Sequence, residues 1–204
     1  MTVEQQPALL VVDDDAAVRD ALSIVFELEG FQVTPYESGD RLLSETPDFA
    51  ACVLLDVHMP GRSGIETLKA LVAGGHRGPI FMISGQGDIP VAVEAIKEGA
   101  VDFVEKPFDM DSVIARVRAA LASAARQAAE PGAPTFHGQE HLTPREQEVL
   151  GEIVKGLSNK EAGRALLISP RTVEVHRARI MQKLGARNAA DLVRIVLSGG
   201  AEAS

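Results

Sequence analysis

Four short apolar runs in the first half of the chain, each closed by polar residues, constrain the fold more than any other feature. Leu9-Leu10-Val11-Val12 leads into Asp13-Asp14, Val53-Leu54-Leu55 into Asp56, and Ile80-Phe81-Met82-Ile83 into Ser84, while Val101 to Val104 stops just short of Lys106. Short buried runs that alternate with amphipathic helical stretches read as βαβ units of a parallel sheet. Ligands of such sheets gather at the carboxyl ends of the strands. Asp13, Asp14, Asp56, Ser84 and Lys106 are therefore expected in one pocket.

That pocket has a definite expected chemistry. Three crowded carboxylates repel one another and favour a hard, oxygen-preferring cation such as Mg²⁺, which keeps several waters and accepts a phosphate oxygen. Asp56 is then the candidate nucleophile. Lys106 neutralises charge on a transferring phosphoryl group, and the Ser84 hydroxyl donates a hydrogen bond to it. An acidic pair after one strand is usually a solvated turn, and a lone Ser or Lys says less still. The signal is all five side chains, in order, at the ends of four runs. Asp15 is expected to cap the helix that follows.

These residues, with Met59-Pro60-Gly61, Ser84-Gly85 and Lys106-Pro107, make the chain resemble the receiver domain of bacterial response regulators over roughly residues 7 to 125. The resemblance implies an α/β doubly wound, five-stranded parallel receiver of the flavodoxin/CheY-like kind. It also implies a sensor histidine kinase that phosphorylates Asp56, with Mg²⁺ held by Asp13, Asp14 and Asp56 and assisted by the Val57 or His58 backbone. Ser84 and Lys106 would grip the phosphoryl oxygens. Ser84 and Phe103 would form the switch, Phe103 rotating inward as the Ser84 hydroxyl moves toward the phosphate. The resemblance suggests a cis Lys106-Pro107 bond.

The 204 residues suggest two domains, each long enough for its own core. No apolar stretch approaches the ~18 residues of a membrane span, and Met1 to Pro7 lacks a secretion-signal pattern. A soluble, cytoplasmic protein with no membrane partner is expected. The single cysteine, Cys52, excludes an internal disulfide and reads as a small buried residue of its run. The net charge of −9 is unevenly spread, being −11 over residues 1–137 and +2 over residues 138–204. An acidic first unit joined to a mildly basic second one fits nucleic-acid binding by the second.

Asp111 to Ala129 has helix-forming composition, with Val113, Ile114, Val117 and Leu121 at three- and four-residue spacings. It reads as the last receiver helix running into an alanine-rich extension that Pro131-Gly132-Ala133-Pro134 stops. Three helix starts follow. Thr143-Pro144-Arg145-Glu146 and Ser158-Asn159-Lys160-Glu161 fit the capping box, and Ser169-Pro170 offers a cap with proline at the first helical position. Gly156 and Gly185 punctuate helix ends. Leu142, Val149, Leu150, Ile153, Leu157, Ala162, Leu166, Leu167, Ile168, Val173, Ile180 and Leu184 are the candidate core. The second and third helices, about three residues apart, read as a helix-turn-helix.

The segments Leu142 to Glu146, Gly156 to Ala162, Ser169 to His176 and Lys183-Leu184-Gly185 resemble the LuxR-type DNA-binding domain, over residues 140 to 198. Both resemblances together identify the FixJ/NarL class of response regulator, and Gly87-Asp88-Ile89-Pro90, Ala92 to Ala95 and Gly99 to Phe103 look like its FixJ branch. If Val173, Ile180 and Leu184 face inward, Glu174, Val175 and Ala178 lie toward the major groove, flanked by Arg171, Thr172, Arg177, Arg179 and Lys183. The basic residues read as phosphate clamps. His176 reads as a packing residue rather than a metal ligand.

The expected organisation is a receiver over residues 1–125, a linker over 126–139 continuing from the last receiver helix, and a helix-turn-helix domain over 140–204. The expected protein is a phosphorylation-activated transcriptional regulator that dimerises, binds double-stranded promoter DNA and has RNA polymerase as a further partner. It is a phosphoacceptor switch with at most self-phosphorylation and self-dephosphorylation activity. An alternative is an aspartate-nucleophile, Mg-dependent phosphatase of the haloacid-dehalogenase type. That family's first strand ends Asp-x-Asp-x-Thr, whereas Asp13-Asp14-Asp15-Ala16-Ala17 lacks the threonine. A protein- or RNA-binding output is a third reading.

Overall fold

The computed structural model describes residues 6–45, 51–85, 89–129 and 141–199. Gly87-Asp88 and the Pro131 to Pro134 stop lie outside these residues. Contacts divide the chain into two compact units, Met1–Leu121 and Ala122–Ser204.

The first unit is a five-stranded, all-parallel sheet. Its strands are β1 (Ala8–Val12), β2 (Gln32–Tyr36), β3 (Cys52–Asp56), β4 (Ile80–Ser84) and β5 (Asp102–Glu105), in the spatial order β2-β1-β3-β4-β5. The helices between them are α1 (Ala16–Leu28), α2 (Gly39–Ser44), α3 (Gly64–Ala73) and α4 (Ile89–Glu98), and α5 (Met110–Ala129) follows β5. The strand order reverses between β1 and β3, which opens a crevice at their carboxyl ends. The expected fold is thus the observed one.

Side-chain alternation explains why this sheet is covered on both faces. Leu9 and Val11, Cys52 and Leu54, and Phe81 and Ile83 share one core with Leu22 and Phe26 of α1 and Val113, Ile114 and Val117 of α5. Leu10, Val12, Val53, Leu55 and Met82, the alternate positions, are buried too. Phe26 and Phe31 meet edge to face at 5.2 Å, a geometry that adds about 0.5–1.5 kcal/mol beyond area burial. Burial raises the pKa of the Cys52 thiol, consistent with an inert core residue. Asp15 caps α1, its carboxylate accepting from the Ala17 N–H at 2.8 Å. The Lys106-Pro107 bond is cis.

The second unit packs α6 (Pro144–Val154), α7 (Asn159–Leu166), α8 (Pro170–Lys183) and α9 (Ala189–Gly199) around Val149, Leu150, Ile153, Ala162, Val173, Ile180 and Leu192. Both expected capping boxes are formed, and Ser169 caps α8 with Pro170 in its first turn. Leu167 is a correction. It is 42% exposed rather than in the core, because it occupies the left-handed C-cap of α7 with φ of 53°. Leu167, Ile168 and Ser169 form the three-residue turn of the helix-turn-helix. Gly163 makes that turn possible, since a Cβ there would lie 2.8 Å from the Ile168 carbonyl oxygen. No helix among the described residues is long and apolar enough to cross a membrane.

Candidate functional site

Strand register brings the expected polar residues to one end of the sheet. Val12 lies opposite Leu55, Asp56 opposite Ile83, and Ser84 opposite Glu105. Asp13 follows β1 directly, Asp56 and Ser84 close β3 and β4, and Lys106 follows β5.

Lys106 joins the two buried carboxylates. Its ammonium donates to Asp13 Oδ2 at 2.9 Å and to Asp56 Oδ1 at 2.7 Å. Asp13 is 2% exposed and Asp56 5% exposed. The second oxygen of Asp56 accepts from the His58 N–H at 2.7 Å, and Asp13 Oδ1 accepts from the Asp15 N–H at 2.9 Å. The Lys106 N–H donates to the Ser84 carbonyl at 2.6 Å, which ties the two strand ends together, and the Ser84 side chain is buried. Phe103 is buried in β5 opposite Met82.

Electrostatics in the pocket follow from this geometry. Burial pushes the Asp56 carboxyl above its ordinary range and Asp13 adds to the effect, against the hydrogen bonds from Lys106 and the His58 N–H. Burial works against the Lys106 charge, but hydrogen bonds to Asp56 and Asp13 prevail and raise its pKa.

The three expected carboxylates are not equally placed. Among the described residues no group of three or more His, Cys, Asp or Glu side chains is placed to hold a metal ion. Asp14 is exposed, and the Lys106 ammonium links the other two. The remaining donor set suits Mg²⁺, which is commonly bound through one or two carboxylates, waters and a phosphate oxygen.

Two features of the first unit were not evident from sequence. Gly64 permits a close crossing, since a Cβ there would lie 2.1 Å from the Asp56 carbonyl oxygen. Its only signal is the glycine that opens α3 just after the Ser63 cap. Asp102, fully buried, is paired with Arg116 of α5, whose Nε donates to it at 2.8 Å. Arg116 also donates to the Phe103 carbonyl at 3.2 Å, so β5 is pinned to α5 at the expected switch residue.

In the second unit α8 buries Thr172, Val173, His176 and Ile180. Arg171, Glu174 and Ala178 are exposed, and Val175, Arg177 and Arg179 partly so. His176 is in the core, as its packing role requires. The expectation that Thr172 flanks the outer face is corrected, because it is 2% exposed and its hydroxyl shares a 2.8 Å hydrogen bond with Ser169. Arg177 donates to Asn159 Oδ1 at 3.4 Å. Lys183 Nζ lies 2.6 Å and Arg179 Nε 3.8 Å from the carboxylate of Glu146, which is fully buried. Burial alone would raise the Glu146 pKa, but hydrogen bonds from Lys183 and the Thr143 N–H and the charges of Lys183 and Arg179 hold it below the ordinary range.

Comparison with known proteins covers both units. Residues 9–118 match the family "response regulator receiver domain", and residues 140–196 match "bacterial regulatory proteins, luxR family". The chain is 43% identical over 200 residues to the transcriptional regulatory protein FixJ of Bradyrhizobium diazoefficiens, covering 94% of this chain and 95% of that one. It is 45% identical to FixJ of Azorhizobium caulinodans, with 93% and 92% covered. The crystal structure of full-length FixJ from B. japonicum aligns with a TM-score of 0.54 at 42% identity, covering 96% of this chain and 98% of that one. The chain therefore belongs to the FixJ-like response regulators, phosphorylation-activated transcription regulators in which a receiver domain is joined to a LuxR-type DNA-binding domain.

Proposed function

We propose that Asp56 is the phosphoacceptor of this regulator and that α8 is its DNA-reading helix. Receivers of this family use Mg²⁺ and a kinase partner, and the residues here suggest how. The single observation that carries the reading is the Asp13–Lys106–Asp56 cluster, in which one ammonium spans two buried carboxylates at a strand-order reversal. The donor is the phosphohistidine of a sensor histidine kinase. A new Asp56 Oδ–P bond forms as the histidine N–P bond breaks, and the histidine nitrogen leaves with its electron pair. Lys106 and the Ser84 hydroxyl bind the phosphoryl oxygens, while the His58 N–H orients the carboxylate. Asp13 and Asp56, with Asp14 at the rim, would hold Mg²⁺, which supplies positive charge to the transferring group.

Phosphorylation draws Ser84 inward, lets Phe103 rotate and remodels the face made by α4 and β5, through which two copies dimerise. The receiver spans residues 1–125, the linker 126–139 and the DNA-binding domain 140–204. Glu174, Val175 and Ala178 meet base edges, and Arg171 and Arg177 meet phosphates. Arg179 and Lys183 flank them, held by Glu146. RNA polymerase is a further partner. The chain is a switch, not an enzyme, with no more than self-phosphorylation and self-dephosphorylation. Incubation with acetyl phosphate and Mg²⁺ tests the acceptor: the wild type takes label and Asp56→Asn does not. Full labelling of the variant would overturn the assignment.

A further inference from the structure

Glu174 is an acid in the middle of the basic face of α8. Arg171 precedes it by three residues and Arg177 follows it by three, so all three lie close together on the helix surface. Glu174 is exposed, and its carboxylate makes no hydrogen bond or ion pair among the described residues. Of the nearby cations, Arg177 donates to Asn159 and Arg179 and Lys183 pair with Glu146, while Arg171 makes no ion pair with Glu174 among the described residues. Inside the helix, Val173, His176 and Ile180 are buried. Glu174 therefore sits opposite the core, beside Val175 and Ala178, with a free carboxylate.

We propose that Glu174 is a specificity-determining residue that selects cytosine by accepting a hydrogen bond from its N4 amino group in the major groove. The inference rests on α8 being the groove helix and adds the identity of one base. A carboxylate brought among phosphates loses hydration and meets like charge, and it can accept hydrogen bonds but not donate them. Guanine presents N7 and O6 and thymine presents O4, all acceptors that repel it. Adenine offers its N6 donor beside the N7 acceptor, so attraction and repulsion lie side by side. Cytosine alone presents an amino donor without an adjacent acceptor. Val175 and Ala178 carry no polar group and leave this donor to Glu174; their own complement is a thymine methyl. Glu174 thus acts against three bases as much as for one.

The test is selection from a randomised duplex pool by the full-length phosphorylated protein, comparing wild type, Glu174→Ala, Glu174→Gln and Val175→Ala. The wild type should enrich cytosine at one position of each half-site by roughly 5- to 100-fold over other bases. Glu174→Ala should abolish preference at that position and keep it elsewhere. Glu174→Gln should move it toward adenine, whose N6 and N7 suit an amide. Unchanged cytosine enrichment in Glu174→Ala, or an equal affinity change on every sequence, would overturn the cytosine assignment while altered selection by Val175→Ala upholds the groove helix. If neither residue changes the enriched sequence, the placement of α8 fails and the inference with it. Thermal unfolding of each variant, expected to match the wild type at this exposed position, separates loss of reading from loss of fold.

Discussion

Glu146 at the start of α6 and Lys183 at the end of α8 form a 2.6 Å ion pair, and Glu146 is fully buried. The same carboxylate accepts from the Thr143 N–H at 2.7 Å, so one charge closes the α6 cap and anchors the groove helix. Its neighbour Arg145 donates to the Leu166 carbonyl at 2.9 Å and so holds the last turn of α7. Two adjacent residues of α6 thereby fix both helices of the helix-turn-helix.

Removing one partner of this pair leaves an uncompensated buried charge. Lys183→Met is expected to destabilise the second unit by about 2–4 kcal/mol, toward the lower end because Lys183 is partly exposed and Arg179 remains near. The double variant Glu146→Gln/Lys183→Met should recover most of that loss. Denaturant unfolding in a double-mutant cycle measures the coupling, and additive losses would contradict the pairing.

The Glu146 pKa is lowered in the folded state. Its contribution to stability is therefore present above the unfolded value, about 4.3, and is lost as pH falls through the lower folded value. Protection factors of α8 amides such as Val173, which are corrected for the intrinsic pH dependence of exchange, should fall over that acid window. In Glu146→Gln the fall over the same window should be smaller.

Gly64→Ala places a methyl group where the Asp56 carbonyl oxygen lies 2.1 Å away. The chain must shift, at a cost of roughly 1–3 kcal/mol for overpacking. Because the displaced backbone belongs to Asp56, labelling by acetyl phosphate should slow as well. A variant with wild-type stability and wild-type labelling rate would show that α3 moves aside freely.

Ser84→Ala removes the hydroxyl at the end of β4 but leaves Asp56, Lys106 and Asp13 in place. Label incorporation at Asp56 should persist, while phosphorylation-dependent dimerisation weakens. Sedimentation velocity with and without acetyl phosphate reads this directly. Two recognition helices in such a dimer should prefer half-sites about 10 base pairs apart, which footprinting can check.

The pocket was legible because parallel strands write their chemistry in order. Each buried run ends where the sheet ends, so Asp13, Asp56, Ser84 and Lys106 could be placed without knowing how the helices pack. Strand β2 left no such mark. It is an edge strand, largely exposed and interrupted by Pro35, so it needs no apolar run. Helix α9 was also unread; its visible signal is the Asn188 side chain accepting from the Asp191 N–H.

Amino-acid order by itself determined the two-unit architecture, the capping boxes and the polar residues at the strand ends, because these depend on short-range periodicity and local hydrogen bonding. Tertiary structure alone decided which charges are free. Lys183 and Glu146 are 37 residues apart and Lys106 and Asp13 are 93 apart. No local pattern records such pairs, since they form only when packing removes water from a carboxylate and brings a cation distant in sequence against it. That is why Lys183 and Arg179 look like open phosphate clamps in the sequence, while folding leaves Arg171 and Glu174 as exposed charges with no partner among the described residues on the outer face of α8.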